Sequence, residues 1–168
     1  MILTVVLLLM ACGISCVAED GMRYFTTFAT QNILGETVTE AILQEKDLTV
    51  VNIWTTWCNP CLNEMPALAQ WEKELPENVQ ILYLCQNLKE GDEVTLKTVQ
   101  TIAEKTGVDP AKVLVWTREG FIELERRLTA YPTTLFVNRD GRFWEYPIVG
   151  AYVEGYQKTV EALVKVIR

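Results

Sequence analysis

Histidine is absent from this 168-residue chain, and its absence excludes several kinds of site. A Ser-His-Asp catalytic set needs a histidine base. The usual four-ligand zinc site needs histidines or a second pair of cysteines, and the chain has only one Cys-x-x-Cys motif. A glycine-rich loop of the kind that binds phosphate groups is also missing. The sequence therefore gives no support to a serine hydrolase, a structural zinc module or a phosphate-binding loop.

Positive charge is scarce as well. The chain has 15 Lys and Arg residues against 22 Asp and Glu residues, so its formal net charge is −7. Nucleic-acid-binding surfaces need a concentration of Lys and Arg, and no basic patch is present. We therefore expect no nucleic-acid partner.

The N-terminal segment is apolar but short. Residues Met1–Ala11 contain no charged side chain. This segment has too few residues to span a membrane as a helix, but it is long enough for the apolar region of a secretory signal. The basic region that normally precedes such a segment is missing, because the first cationic residue is Arg23. A buried N-terminal strand is the weaker alternative, since the residues that follow show no packing pattern. We predict a signal peptide over residues 1–11, a tether over 12–24 and one folded domain over 25–168.

The central feature of the sequence is a strand pattern that leads into two cysteines at the start of a helix. Leu48–Trp54 is an apolar segment rich in β-branched residues, which predicts a strand buried on both faces. The motif Cys58-Asn59-Pro60-Cys61 follows. Pro60 is tolerated in a first helical turn, because its missing N–H has no helical partner there. The pattern therefore puts Cys58 at the helix N-terminus and Cys61 one turn inside.

This placement predicts redox chemistry. A thiolate at Cys58 faces free backbone N–H groups and the positive end of the helix dipole, a setting that lowers a cysteine pKa from ~8.5 into the range ~3.5–7.5. Cys58 is then the nucleophile that attacks a disulfide, and Cys61 resolves the mixed disulfide. Half of a zinc site and an inert structural disulfide are the alternatives, and a strand leading directly into Cys-x-x-Cys favours the redox interpretation over both.

The rest of the chain alternates predicted strands and helices, which indicates an α/β fold with a mixed sheet. The predicted strands are Phe25–Phe28, Val79–Cys85, Val113–Trp116, Thr133–Val137 and Phe143–Val149, and the predicted helices are Thr39–Gln44, the segment after Cys58, Asp92–Lys105, the exposed and charged Arg118–Leu128, and a C-terminal helix that includes Tyr156 and Val160 on its apolar face.

Two further cysteines need an interpretation. Cys85 lies in an apolar strand, where a free cysteine usually behaves as a small buried hydrophobe, and a third redox thiol is the alternative. Cys16 lies in the predicted tether, where we assign it no role. Cross-linking and a second acylation are its alternatives.

Several motifs together resemble one known family. Trp57-Cys58-Asn59-Pro60-Cys61 resembles the W-C-x-P-C active-site motif of thioredoxins, and Pro66 matches the proline of their active-site helix. Tyr131-Pro132-Thr133-Thr134 resembles their cis-proline loop. The longer stretch V-N-I-W-T-T-W-C-N-P-C-L-N-E-M-P is similar to the extracytoplasmic TlpA/ResA-type reductases, and the resemblance extends from about Phe25 to the C-terminus.

This resemblance implies a fold and a function. The fold is thioredoxin-like, with a central mixed β-sheet flanked by helices on both faces. The function is thiol–disulfide exchange outside the cytoplasmic membrane, reducing protein disulfides with no cofactor beyond the Cys58–Cys61 disulfide. The residues expected to contact substrate are Trp57, Pro60, Tyr131, Pro132 and Thr133. For Trp57, simple packing is the alternative.

A carboxyl group near the cysteines is a further expectation. Glu64 stands where ResA-like proteins carry a carboxylate, and Asn52 stands where cytosolic thioredoxins carry a buried Asp. Since residues three apart share a helix face, Glu64 can move a proton to or from Cys61 or raise the cysteine pKa values by repulsion. A solvated surface carboxylate is an equal alternative.

The resemblance also bears on location and partners. Leu9-Met10-Ala11-Cys12 resembles the lipobox of bacterial lipoproteins, which implies a lipidated Cys12 and anchoring to the membrane, with simple secretion as the alternative. The implied substrates are oxidised proteins such as apocytochrome c or a methionine sulfoxide reductase. The implied electron donor is a membrane thiol carrier of the CcdA type, and we expect a monomer.

Other functions remain open at this stage. An oxidase or isomerase is one alternative. Such enzymes share the Cys-x-x-Cys motif, and the sequence does not give the reduction potential that would distinguish them from a reductase. Thr55 and Cys58 resemble the T-x-x-C of thiol peroxidases, although Val51 occupies the position where that motif has proline. A non-catalytic tethered adaptor is a third alternative. A copper carrier of the Sco type would need a histidine.

Overall fold

The computed structural model describes residues Phe25, 27–142 and 147–167. The predicted signal peptide, the whole predicted tether with Cys12 and Cys16, and residues 143–146 of the predicted last strand lie outside the described residues. In the described ranges, no helix is long and apolar enough to cross a membrane.

A five-stranded mixed sheet forms the centre of the described domain. The strands lie in the order β5-β4-β3-β6-β7, with β3, β4 and β5 parallel and β6 and β7 antiparallel to their neighbours. Their bounds are β3 Leu48–Trp54, β4 Val79–Lys89, β5 Val113–Trp116, β6 Thr133–Asn138 and β7 Ile148–Val149; a separate antiparallel pair consists of β1 Ala29–Gln31 and β2 Thr37–Thr39.

Helices cover both faces of this sheet. The helices are α1 Ala41–Gln44, α2 Asn59–Glu72, α3 Glu93–Thr106, α4 Arg118–Glu125 and α5 Val153–Val164, and a 3-10 turn spans Pro110–Lys112. Apolar residues of α2, α3 and α5 form one core with one face of the sheet, and those of α1 and α4 form a second core with the other face. This is the expected α/β arrangement with helices on both sides.

Strand β3 shows why both faces are covered. Successive side chains of a strand point to opposite faces. Val50 and Trp54 belong to the core under α2 and α5, whereas Val51 and Ile53 belong to the core under α1 and α4. The parity of Asn52 places it on the α2 side, and its side chain is fully buried there. A polar residue in the middle of this strand therefore has to find its partners on α2, on α5 or on the neighbouring strands.

Several predicted elements differ from the structure: β4 continues to Lys89 beyond the predicted end at Cys85, and α1 begins at Ala41 where Thr39 was predicted. The strand predicted at Phe25–Phe28 is wrong in position: the strand starts at Ala29, while the rings of Phe25 and Phe28 pack against Phe121 with centroid distances of 6.0 and 5.4 Å. Two phenylalanines separated by two threonines do not distinguish a strand from a loop that buries two rings.

The same contact corrects the prediction of an exposed helix at Arg118–Leu128. Helix α4 ends at Glu125, and Phe121 and Leu124 on its inner side are buried. These two residues lie three apart, so they form an apolar stripe that the many charges around them obscure in the sequence.

Candidate active site

The two cysteines lie at the start of α2, directly after β3. Cys58 is the N-cap residue, Pro60 lies in the first turn, and the Cys61 N–H donates to the Cys58 Sγ at 3.2 Å. The two sulfur atoms form a disulfide bond, so the structure shows the oxidised state. Cys61 is fully buried, whereas Cys58 keeps 5% of its surface exposed. The sulfur at the helix N-terminus is therefore the one that a substrate can approach.

An asparagine that the sequence analysis did not select holds the loop before Cys58. The Asn87 Oδ1 accepts from the Thr56 N–H at 2.9 Å, and the Asn87 Nδ2 donates to the Thr56 Oγ1 at 2.7 Å. Both groups of the amide are thus used on one residue of the loop. Asn87 lies near the end of β4, next to an irregularity in the pairing of β4 with β5. No local sequence signal marks it, because Thr56 lies 31 residues away.

The cis-proline loop lies beside the same end of the sheet. The Tyr131–Pro132 peptide bond is cis, as the resemblance implied. Thr133 follows it in β6 opposite Ile53 of β3, and its Oγ1 donates to the Ala130 carbonyl at 2.8 Å. This register brings the loop to the end of β3 from which α2 starts.

Two aromatic rings connect the loop to the helix start. The Trp57 ring meets the Tyr131 ring edge-on at a centroid distance of 5.7 Å. Trp57 is 66% exposed, so burial in the core does not explain its position. The pair forms an apolar surface next to the cysteines.

Glu64 is buried, and the interpretation as a solvated surface carboxylate is wrong. It is 6% exposed, and its Oε1 accepts from the Asn52 Nδ2 at 2.9 Å. The same Nδ2 donates to the Thr134 Oγ1 at 3.1 Å, which fixes the orientation of the amide. Burial raises the pKa of Glu64 above its ordinary 4.5, since the loss of hydration outweighs the hydrogen bonds from Asn52 and Tyr156 that act in the opposite direction.

Tyr156 completes this buried polar cluster from the opposite helix. Its hydroxyl lies 3.2 Å from the Glu64 Oε2, although its ring belongs to the core between α2, α5 and the sheet. Burial is the main cause that raises the pKa of Tyr156 to about 12, so the phenol keeps its proton at neutral pH. The sequence pattern places Tyr156 on the apolar face of the C-terminal helix and gives it no polar role. A usable signal was present, because a buried tyrosine hydroxyl normally has a hydrogen-bond partner.

Cys85 remains a free, buried cysteine in β4, paired with Trp54 of β3. Burial is the main cause that raises its pKa to about 12. A thiol with such a pKa holds its proton at neutral pH and reacts poorly, because the thiolate is the reactive form. The structure therefore favours the packing interpretation of Cys85 over a third redox thiol.

Within the described part of the chain, no group of three or more His, Cys, Asp or Glu side chains is placed to hold a metal ion.

The fold and this site define a thioredoxin-like thiol–disulfide oxidoreductase domain: a cysteine pair at a helix N-terminus, a cis-proline loop beside it and a mixed sheet behind it. The chain belongs to the AhpC/TSA family, whose family model matches residues 23–143.

Individual relatives agree with this assignment. The chain is 28% identical over 92 residues to thioredoxin-like protein YneN of Bacillus subtilis, covering 55% of this chain and 51% of the relative. It is 26% identical over 105 residues to a thiol:disulfide interchange protein DsbE homolog of Paracoccus denitrificans, covering 62% and 52%. The chain thus spans about half the length of the curated relatives it matches.

Solved structures confirm the fold. A thiol:disulfide interchange protein of the thioredoxin family from Chlorobium tepidum superposes with a TM-score of 0.68 at 21% identity, covering 88% of this chain and 96% of the other. StoA from Bacillus subtilis superposes with a TM-score of 0.63 at 18% identity, covering 83% and 99%. The thioredoxin-like fold predicted from the sequence is therefore confirmed.

The contacts of Asn87 lead to a first prediction. Asn87→Ala removes both hydrogen bonds to Thr56, which should lower the free energy of unfolding by about 1–2 kcal/mol and raise the hydrogen-exchange rate of the Thr56 amide roughly tenfold. Gln86→Ala is the matched control, because the Gln86 side chain reaches Glu125 instead of the loop. Equal exchange of the Thr56 amide in both variants would show that Asn87 does not hold the loop.

Proposed function

We propose that the protein is an extracytoplasmic thiol–disulfide oxidoreductase that reduces protein disulfides through the Cys58–Cys61 dithiol. The observation that carries this proposal is the position of the Cys58 sulfur, which caps α2 and accepts the Cys61 N–H at 3.2 Å. A helix N-terminus stabilises negative charge, so it favours the thiolate of Cys58 in the reduced protein.

The dithiol reduces a substrate disulfide in two steps. In the reduced protein, the Cys58 thiolate attacks one sulfur of a substrate disulfide, and the other substrate sulfur leaves as a thiolate that takes up a proton. Cys61 then loses its proton and attacks the Cys58 Sγ, which breaks the mixed disulfide and releases the second substrate thiolate. Two electrons pass to the substrate, and the product state is the Cys58–Cys61 disulfide that the structure contains.

The surface around Cys58 suits an extended protein segment. Trp57 and Tyr131 offer an apolar edge, and Pro132 and Thr133 lie at the sheet end beside it. Pro60 has no backbone N–H that a substrate would have to satisfy. Protein disulfides fit this surface better than small charged thiols, since no described residue of this aromatic and proline surface carries a charge. We therefore assign these five residues to substrate contact.

Glu64 is the candidate proton acceptor for the resolving step. Asn52 cannot ionise, and Glu64 is a buried carboxyl three residues after Cys61 on the same helix, so both side chains share a face. Because the pKa of Glu64 is raised, it lies closer to the pKa of a thiol, and this favours proton exchange between Glu64 and Cys61. An ionised Glu64 also opposes a thiolate at Cys61, and this repulsion keeps Cys61 protonated until the mixed disulfide has formed.

The proposal also covers the location of the protein, the direction of electron transfer and the partners. The apolar Met1–Ala11 segment and the lipobox-like Leu9-Met10-Ala11-Cys12 support export and anchoring through a lipidated Cys12. The similarity to TlpA/ResA-type reductases supports reduction over oxidation. It also supports a membrane thiol carrier of the CcdA type as donor, and apocytochrome c or a methionine sulfoxide reductase as substrate. We expect the protein to act as a monomer, with no cofactor beyond its own disulfide.

The roles of the two cysteines can be tested directly. Alkylation of the reduced protein should reach Cys58 roughly tenfold faster than Cys61, because only Cys58 is both activated and accessible. Cys58→Ser should abolish insulin reduction, and Cys61→Ser should accumulate mixed disulfides with substrate proteins. Cys85→Ser is the control and should retain full activity.

Other outcomes would assign another function. Equal alkylation of Cys58 and Cys61 would contradict the assignment of the nucleophile. Peroxide consumption that depends on Cys58, without insulin reduction, would indicate a thiol peroxidase. Neither activity in the intact protein would indicate an adaptor.

Glu64→Gln tests the role of the carboxyl, and its effect should appear only above the Glu64 pKa. Below the Glu64 pKa the parent carboxyl is neutral, so parent and variant should titrate alike. Above it, the variant lacks the negative charge, which should lower the thiol pKa values while slowing reductive release of substrate. Stopped-flow alkylation across pH measures the first effect, and single-turnover reduction measures the second.

Stability should follow the same group. Because the folded-state pKa of Glu64 is raised, its contribution to stability is fully present below 4.5 and is lost as the pH rises through the folded-state pKa. The unfolding free energy of the parent should therefore fall relative to that of Glu64→Gln as the pH increases. Glu74→Gln, an exposed change two residues after the end of the same helix, should show no such trend, and a parallel trend in both variants would contradict the role of Glu64.

Anchoring can be tested on the full chain. We expect a mature protein that begins at a diacylated Cys12 and remains with the membrane fraction, because two acyl chains hold stably where one does not. Cys12→Ser should lose fatty-acid labelling, and Cys16→Ser should keep it. A soluble protein with an unmodified N-terminus near Glu19 would contradict lipidation without affecting the redox proposal.

A further inference from the structure

The Tyr156 hydroxyl lies within hydrogen-bond distance of two acceptors but has only one proton to donate. It lies 2.8 Å from the Gly150 carbonyl oxygen and 3.2 Å from the Glu64 Oε2, and it accepts from the Tyr152 N–H at 3.2 Å. A phenol has one proton to donate and can accept two hydrogen bonds. Both the carbonyl and an ionised carboxylate are acceptors only, so the single proton cannot satisfy both.

The protonation state of Glu64 decides where this proton goes. When Glu64 is neutral, its own O–H can donate to the Tyr156 hydroxyl, which then donates to Gly150, and all three contacts are satisfied. When Glu64 is ionised, the carboxylate is the stronger acceptor, so the Tyr156 proton turns towards it. The Gly150 carbonyl then loses this donor.

Gly150 connects this hydroxyl to the cis-proline loop. Its N–H donates to the Pro132 carbonyl at 2.8 Å. The preceding residue, Val149, pairs with Thr133 in the sheet. The peptide units on either side of Gly150 thus contact Pro132 on one side and Tyr156 on the other. A change in the hydrogen bonding of the Gly150 carbonyl acts on the segment that supports the loop.

We propose that Tyr156 is a positioning residue that couples the protonation of Glu64 to the segment Gly150–Tyr152 and, through Gly150, to Pro132. The inference rests on the proposed function, in which Glu64 accepts the Cys61 proton. Transfer of that proton makes Glu64 neutral and directs the Tyr156 proton to Gly150. Loss of the proton from Glu64 reverses this, so the support of the substrate loop differs between the two halves of the redox cycle.

The surroundings of Glu64 leave few other groups that change charge. The groups around it are Asn52 from β3 with its partner Thr134 from β6, Tyr83 from β4, Tyr156 from α5, the Tyr152 N–H at the start of α5, and Cys61 from its own helix. Asn52 and Thr134 do not ionise. The pKa values of both tyrosines are raised, chiefly by burial, so both phenols remain neutral in the working range. In the oxidised protein, where Cys61 is bonded to Cys58, Glu64 is therefore the group that titrates here.

The test follows backbone amides across pH by NMR of the full-length domain in its oxidised form. In the parent protein, the amide resonances of Gly150 and Tyr152 should titrate with the same midpoint as the Glu64 carboxyl carbon. In Tyr156→Phe the Gly150 amide should lose that titration, whereas the Tyr152 amide should keep it, because its N–H also donates directly to Glu64. The Glu64 midpoint should move up by about one pH unit, because an ionised carboxylate loses a donor.

Tyr83→Phe is the matched control. Tyr83 is also fully buried, and its hydroxyl has no hydrogen-bond partner among the described residues. This variant should keep the parent titration of Glu64, Gly150 and Tyr152. A Tyr156→Phe protein that loses stability but keeps the parent titrations would show a packing role only, and would overturn the proposal.

A double variant separates this proposal from the function it rests on. In the Glu64→Gln background, Tyr156→Phe should cause no further change in the thiol titration of the reduced protein, because Tyr156 acts through Glu64. An equal change in both backgrounds would overturn the coupling. If insulin reduction fails in the parent while the amide titrations behave as expected, the proposed function is wrong and the coupling stands.

Discussion

The hydrogen bond from the Cys61 N–H to the Cys58 sulfur is the contact on which the chemistry of this chain depends. It exists because a buried strand ends at Trp54 and a helix starts at Asn59, with a cysteine at the cap position. A carboxylate or hydroxyl at that position would satisfy the helix end equally well. A sulfur there becomes both the cap and a nucleophile, since the groups that satisfy the helix also stabilise the thiolate.

The electrostatics of the site come from backbone and burial more than from charged side chains. The hydrogen bonds that fix the site join amides, hydroxyls and backbone groups, and the one carboxyl group among them is Glu64. The helix N–H groups therefore stabilise the thiolate of Cys58. The buried carboxyl of Glu64 has the opposite effect on Cys61, because its negative charge destabilises a thiolate there. The two thiols therefore differ in reactivity, as one attacking and one resolving thiol require.

Positioning of the site is spread over elements that are distant in the chain. Asn87 at the end of β4 holds the loop before Cys58, and Tyr156 on α5 reaches Glu64 on α2. These contacts connect the start of α2 to the central sheet and to the last helix. The site thus depends on the correct packing of both helices against one face of the sheet, and small shifts of either helix would alter the proton positions near Cys61.

The sequence by itself determined the strand Leu48–Trp54, the helix start at Cys58 and the class of chemistry, because β-branched runs, Pro60 and the cysteine spacing act locally. The cis-proline loop was found by resemblance to a family, since no local rule makes Pro132 cis. Only the tertiary structure decided the surroundings of Glu64. A helix carboxylate looks the same in sequence whether it is solvated or buried, and its burial depends on Asn52 and Tyr156, which come from a strand and a helix that meet only in the folded chain.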